Sequence, residues 1–276
     1  VEISIIIPTF NEQTYVGRAV ARAWATDPKE VIVVDGGSRD ATAKRATSRG
    51  ARVIRGPRGR ARQQNIGAEE AVGRVLLFLH ADNWLHAGAL HQINEAMERT
   101  GVLGGAFCQR IEQPGAAYRI LEWGNAARVR WLGLPYGDQG IFMRADIFRR
   151  LGGFPNVATM EDLLLMQRFR RLGRPALLPG PLHVSPRRWC RHGIVRQTLK
   201  NWSMLAAHRL GAQPEWLAGF YPPHGRRRTA HHDQEESATP PAQASDAQPE
   251  SLRAVRCGAP LVQVPTDGET SRISSE

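Results

Sequence analysis

Residues 75–83 read Val-Leu-Leu-Phe-Leu-His-Ala-Asp-Asn. An apolar run of that length, bounded by polar residues, is the pattern of a strand buried on both faces. In open α/β sheets, ligands bind just beyond the carboxyl ends of such strands. His80 and Asp82, one residue apart at that end, are therefore site candidates on position alone. The competing reading is that Asp82 caps a helix beginning near Ala87, although it lies several residues early for that.

The flanking sequence repeats the pattern. Residues 2–7 form a β-branched run that ends at Pro8, followed by the polar loop Thr9-Phe10-Asn11-Glu12. Val16, Ala19, Val20, Ala23 and Trp24 recur at helical spacing and predict a helix with one apolar face. Residues 31–34 are a second apolar strand, ending in the carboxylate Asp35. Gly36-Gly37-Ser38 turns the chain, and Asp40 is an N-cap candidate for a helix over 41–48. Residues 52–54 predict a third strand. Alternating strands and helices imply an α/β fold with a mostly parallel sheet wound right-handedly and flanked by helices.

Residues 55–62 carry four arginines in eight positions, spaced by Gly and Pro, ahead of Gln63-Gln64-Asn65. A loop between a strand and a helix lies at the same carboxyl edge as Asp35 and Asp82. There its guanidinium groups would meet phosphate, at roughly 1.5–3 kcal/mol per charge-assisted hydrogen bond. The alternative is a solvated or RNA-contacting loop. Neither a Walker loop nor a Gly-x-Gly-x-x-Gly fingerprint is present here, so a nucleotide would be held by carboxylates, a metal and arginines. Further on, helices are predicted over 87–99, 118–131, 144–150 and 160–171, with strands over 102–110 and 141–143. Glu161 and Asp162 open the fourth of these helices, where acids also favour the helix dipole. Residues 186–192, Pro-Arg-Arg-Trp-Cys-Arg-His, form a second basic cluster. A last helix, 194–210, has Trp202 among basic residues, which with Trp216 leaves peripheral membrane contact open.

From about His224 the sequence lacks aromatic residues and sustained apolar periodicity, and is predicted to be a disordered low-complexity tail, 224–276, after a single domain over 1–223. That tail holds 6 Lys+Arg against 8 Asp+Glu, which leaves +13 on residues 1–223. A charge of that size implies an anionic partner. Three scattered cysteines without a Cys-x-x-Cys pair argue against zinc or a disulfide framework and suit a reducing compartment. No run approaches the length of a membrane span and no signal peptide is visible, so a cytoplasmic location is expected.

The order of these elements resembles glycosyltransferase family 2, the inverting nucleotide-sugar transferases of the GT-A fold. Ile-Ile-Ile-Pro-Thr-Phe-Asn-Glu (5–12), Val-Ile-Val-Val-Asp-Gly-Gly-Ser-Arg-Asp (31–40), Leu-Phe-Leu-His-Ala-Asp (77–82), Met-Glu-Asp (160–162) and Arg-Arg-Trp (187–189) carry the resemblance. Gly-Arg-Ala-Arg-Gln-Gln-Asn (59–65), His-Ala-Asp and Gly-Asp-Gln-Gly (137–140) look like a bacterial subgroup associated with radical-SAM or selenium-related gene neighbourhoods. The resemblance implies a sugar moved from a nucleotide-sugar donor to an unidentified acceptor, conceivably lipid or apolar.

In the same terms, Pro8, Thr9, Asn11 and Glu12 would line the nucleoside pocket and Asp35 would bond base or ribose. Arg60, Gln64, Asn65 and Arg188 would also face the donor. Asp82 would bind Mg²⁺ or Mn²⁺, and Asp162, or else Glu161, would be the general base. His80 stands where the family's first Asp of Asp-x-Asp belongs. Imidazole is a poor Mg²⁺ ligand, so a contact to the donor is the role expected for it. Two rival readings are a nucleic-acid-binding module, which leaves the strand-end carboxylates unexplained, and a nucleotidyltransferase-like enzyme. No nucleic-acid partner is expected.

Overall fold

The computed structural model describes residues 1–209. The expectations for the tail, 224–276, and for Trp216 lie outside them. The same holds for the side chain of Trp202.

The first half alternates as the sequence predicts. Strand β1 (Ile3–Thr9) leads to helix α1 (Val16–Trp24), β2 (Glu30–Asp35) to α2 (Thr42–Thr47), β3 (Arg52–Arg55) to α3 (Arg60–Glu69), and then β4 (Val75–Phe78). β1 pairs in parallel with β2 on one side and β4 on the other, and β2 pairs in parallel with β3. β1 runs past Pro8, where the sequence suggested it would stop. Its pairing with β4 ends at Ile6–Phe78, so the missing Pro8 N–H costs no ladder bond there.

The second half is mixed. β5 (Asn83–Leu85), α4 (Ala89–Met97), β6 (Gly104–Ile111), α5 (Ala116–Leu132), a 3₁₀ turn (Gly137–Gln139), β7 (Phe142–Arg144), α6 (Ala145–Arg150), α7 (Glu161–Phe169), β8 (Ala176–Val184), α8 (Arg187–His192) and α9 (Ile194–Arg209) follow in order. One eight-stranded sheet results, ordered β3-β2-β1-β4-β7-β6-β8-β5. β7 is antiparallel to β4 and β6, β6 is parallel to β8, and β5 is antiparallel to β8. β5 and β8 were not legible in the sequence. β8 contains Pro179, Gly180 and Pro181, residues that argue against a strand, and the ladder to β6 accommodates them by an irregularity between Phe107 and Gln109.

Helices cover both faces, as strands apolar on every residue require. On one face Ile5, Ile7, Val33 and Leu77 pack with Val16, Val20 and Ala23 of α1 and Ile93 of α4. On the other, Ile6, Ile32, Val34, Leu76 and Phe78 pack with Ala61 and Ala68 of α3 and Leu165 and Met166 of α7. The alternation of neighbouring strand residues between the two clusters is the period-two rule of a pleated strand. Gly67 lets α3 approach β1, since a Cβ there would sit 2.5 Å from the Ile6 side chain. Cys108 is a free thiol. Among the described residues no helix is long and apolar enough to cross a membrane.

Candidate active site

A cleft of about 660 Å³ opens at the carboxyl ends of β1 and β4, bounded by the start of α3, the segment 156–161 and the start of α8. Each parallel strand hands over to its helix at this edge, so the strand-to-helix loops bring residues far apart in sequence together here. Of the residues singled out in the sequence, Pro8, Thr9, Glu12, Arg60, His80, Asp82, Glu161 and Arg188 line it.

The cleft is organised by ion pairs between its own walls. Arg187 donates two hydrogen bonds to Glu12, at 2.7 and 2.9 Å, and its Nε lies 2.7 Å from Asp82 Oδ2. Glu12 and Asp82 are both buried. Burial pushes the Glu12 carboxyl up, with the Arg187 hydrogen bonds pulling against it. Burial would likewise lower Arg187, but the hydrogen bonds to Glu12 and the charge of Asp82 outweigh it and raise the guanidinium above its ordinary value. Across the cleft, Arg60 pairs with the buried Glu161. Arg58 stacks 4.0 Å over the Phe10 ring, and Arg62 donates to Asn156 at 2.8 Å. Five guanidinium groups therefore line the cleft, against the carboxylates of Glu12, Asp82 and Glu161.

His80 lies between the two ion-paired walls. Its Nε2 is buried and has no hydrogen-bond partner. Burial, then the charges of Arg60 and Arg188, depress its pKa from 6.5 to about 3 despite Asp82 nearby. The ring is thus neutral near pH 7. Because the folded-state value lies below the ordinary one, the neutral ring contributes stability that is complete above about pH 6.5 and lost as pH falls toward 3. Urea unfolding should therefore show a loss of about 2 kcal/mol from this group between pH 7 and pH 5. His80→Gln should flatten that slope; an unchanged slope would assign the acid sensitivity to other groups.

Asp162 is held beside this cleft. The Gly137 N–H donates to its Oδ2 at 2.6 Å, and the Leu163 N–H donates to Oδ1 at 2.8 Å. Met160, in the left-handed region at φ 64°, makes the turn that starts α7. A Cβ on Gly137 would lie 2.9 Å from His80 Nε2 and 3.2 Å from Asp162 Oδ2, so glycine is what allows these groups to approach. The 3₁₀ turn bearing Gly137 is held in turn by Asn83 and Gln109, which donate to the Asp138 carbonyl, and by Arg128, which donates to Gln139. Burial raises the pKa of the Asp138 carboxyl.

Four expected donor-binding residues stand elsewhere. Asn11 fixes two loops together: its N–H donates to Ser38 and its Oδ1 accepts from the Arg39 N–H. Asp35 accepts from the Ser38 N–H and hydroxyl and from Thr9, at 2% exposure. Asn65 exchanges hydrogen bonds with the Phe154 backbone. Gln64 is buried, and its neighbour Gln63 takes the cleft wall, donating to the carbonyls of Thr9 and Val34. On helix α3 adjacent residues point in different directions, so Gln63 and Gln64 meet different surroundings. Arg187 is the residue that sequence reasoning undervalued. The Arg-Arg-Trp cluster was visible, but only the fold brings Glu12, 175 positions earlier, into bidentate contact.

A match to the family model of glycosyl transferase family 2 spans residues 4–149, more than half of the chain. The chain belongs to glycosyl transferase family 2. No curated protein matches it. Among solved structures, the mannosyltransferase PcManGT from Pyrobaculum calidifontis, in complex with GDP-Man and Mn²⁺, superposes with a TM-score of 0.56 at 16% identity, covering 82% of this chain and 66% of that one. TarS 1-349 from S. aureus gives 0.51 at 18%, covering 69% and 63%. Glucosyl-3-phosphoglycerate synthase from Mycobacterium tuberculosis, solved with Mn²⁺, UDP and glucosyl-3-phosphoglycerate, gives 0.50 at 21%, covering 66% and 70%. The chain thus spans just under two thirds of the first two. At these identities the likeness establishes the GT-A glycosyltransferase fold, and in this family member the cleft sits on that fold's strand edge.

The donor set for a divalent ion is narrow. No group of three or more His, Cys, Asp or Glu residues is arranged to hold a metal among the described residues. Asp82 is the carboxylate at the strand end, with neutral His80 as its neighbour. One carboxylate fits an ion such as Mg²⁺ or Mn²⁺ that takes its remaining ligands from substrate phosphates and water.

Proposed function

We propose that the protein transfers a sugar from a nucleotide-sugar to an acceptor hydroxyl with inversion. The observation that carries this reading is the convergence of five guanidinium groups on a strand-edge cleft with Asp162 held alongside. Guanidinium groups in a desolvated cleft match a diphosphate, whose charge grows as the sugar departs. A carboxylate outside the ion-paired walls matches the other half of the reaction.

In the transfer, Asp162 accepts the proton of the acceptor hydroxyl as its oxygen bonds to the anomeric carbon. The bond from that carbon to the diphosphate oxygen breaks, and its electron pair leaves with the nucleoside diphosphate. Attack opposite the leaving group inverts the anomeric centre. Gly137 and Leu163, by donating to Asp162, fix the direction of its carboxylate. Arg58, Arg60, Arg62, Arg187 and Arg188 hold the diphosphate, and Thr9 and Gln63 border the nucleoside end. A divalent ion held by Asp82 would add positive charge at the diphosphate. His80, neutral with an unpartnered Nε2, is suited to meet a donor hydroxyl. The loop 59–65 and the Gly137–Gly140 turn support placing the chain in the radical-SAM-associated subgroup of its family.

A thermal-shift panel of nucleoside diphosphates and their sugars, with and without Mn²⁺, tests the reading, because ligand binding stabilises the folded chain. Stabilisation by at least one nucleotide-sugar is expected; none across the panel would sink the proposal. For the metal, the affinity of the best nucleoside diphosphate should rise roughly tenfold with Mn²⁺ in the wild-type chain. In Asp82→Asn that gain should vanish. An equal gain in both proteins would remove Asp82 from the metal.

A further inference from the structure

Helix α5 turns its apolar stripe outward. Ile120, Trp123, Ala127 and Trp131 recur three or four residues apart, so they share one face of the helix. Ile120 is 68% exposed, Trp123 67%, Trp131 65% and the adjoining Leu132 44%. The two indole rings meet edge to face, 6.1 Å apart. The only buried residues of this 17-residue helix are Tyr118 and Val129. A soluble surface gains nothing from two tryptophans side by side, and contiguous exposed apolar patches mark contact sites.

The charges around the stripe are of one sign. Arg130 is exposed at its border. The exposed Arg170 and Arg174 reach in to the last carbonyls of α5, those of Leu132, Arg130 and Trp131. The helix carries a single carboxylate, Glu122. It is turned inward, accepting from the Ile111 N–H and pairing with Arg119 and Arg110. Helix α9 packs through Ile194 on the cluster formed by Tyr118 and Trp189.

We propose that the outer face of α5 docks this protein onto an anionic lipid surface. Tryptophan rings are amphipathic and settle at headgroup depth, and a rim of arginines is drawn to acidic headgroups. A second copy of the chain would present the same arginine-rimmed patch and so bring it no complementary charge. The inner face of the same helix reaches the proposed catalytic carboxylate. Asn125 donates to Gln109 and Arg128 to Gln139, on the turn whose Gly137 binds Asp162. A lipid surface on α5 would therefore lie on the side of the molecule that builds the acceptor end of the site.

Vesicle flotation of the full chain tests this, with phosphatidylcholine alone and with phosphatidylcholine mixed with phosphatidylglycerol. The chain should float with the mixed vesicles, little with the neutral ones, and less as salt is raised. Trp123→Ala/Trp131→Ala should weaken binding roughly tenfold or more, because each ring buries a large area. Its melting temperature and response to nucleoside diphosphates should not change, which separates failure of this proposal from failure of the transferase reading. Absence of flotation by the wild-type chain, or equal flotation by the double variant, would overturn the proposal. So would a concentration-dependent dimer abolished by the double variant without any lipid binding.

Discussion

Asp162→Asn should reduce sugar transfer roughly 10²–10⁴-fold, the range typical of a positioned general base, while leaving nucleotide affinity within about twofold. The amide nearly matches the carboxylate in shape. It keeps one oxygen to accept the Gly137 N–H and gives up the bond from the Leu163 N–H, which lies in the first turn of α7 where N–H groups have no partner within the helix, so α7 and the turn at Gly137–Gln139 should stay in place. What it loses is the lone pair that takes the acceptor proton. Single-turnover transfer measured beside nucleotide binding separates the two effects. Full turnover would disqualify Asp162, and equal losses in binding and rate would make it a donor-binding group. Glu161→Gln serves as the contrasting variant. Its carboxylate is 2% exposed and engaged with Arg60, so its loss should disturb stability and donor binding together.

Arg187→Ala should be the most destabilising single change in the cleft. It leaves Glu12 and Asp82, both buried, without their shared cation. Removing one partner of a buried ion pair costs roughly 3–5 kcal/mol, and two stranded carboxylates put this case toward the upper end. The loss should shrink at acid pH: with Arg187 absent the desolvated Glu12 carboxyl titrates higher still, and its protonation removes part of the repulsion. Arg187→Lys should recover only part of the stability, since an ammonium cannot reproduce two parallel bonds to Glu12 together with a contact to Asp82. Urea titrations at neutral and mildly acid pH give both comparisons. A change under 1 kcal/mol would show that the pair is dispensable.

What the sequence disclosed follows from the range over which its signals act. The strands of the parallel half are apolar on every residue because both faces are covered, and that is a local property. His80, Asp82, Glu161 and Arg60 could be placed on the cleft because each follows a strand or opens a helix at one predictable edge. The sequence could not show which of the remaining candidates are already engaged by other parts of the protein. Asn11 and Asp35 carry the right chemistry for a nucleoside, yet Ser38 and Arg39 engage them. Asn65 exchanges hydrogen bonds with the Phe154 backbone, and Gln63 lines the cleft because adjacent helical residues face different ways. Arg187 could not be ranked above Arg188 without knowing that Glu12 lies opposite. β8 was hidden because its Pro-Gly-Pro run obeys turn rules locally and is overridden by its neighbours in the sheet.

The antiparallel β7 divides the sheet into two provinces with different pasts open to them. Thr9, Glu12 and Asp82 come from the parallel province, and residues 4–149 are what the family model covers. Asp162, β8 and the Arg187–Arg188 pair come after that span, and Gln109, Asn125 and Arg128 belong to the mixed province. The contacts of Arg187 with Glu12 and Asp82, together with that of Arg60 with Glu161, suture the early and late segments across the cleft. Under the proposed function, drift in the later segments would redirect which alcohol is glycosylated while the strand ends assigned to the nucleotide stay as they are. The suture limits how far that can go, because any new α8 must still return a cation to Glu12 and Asp82.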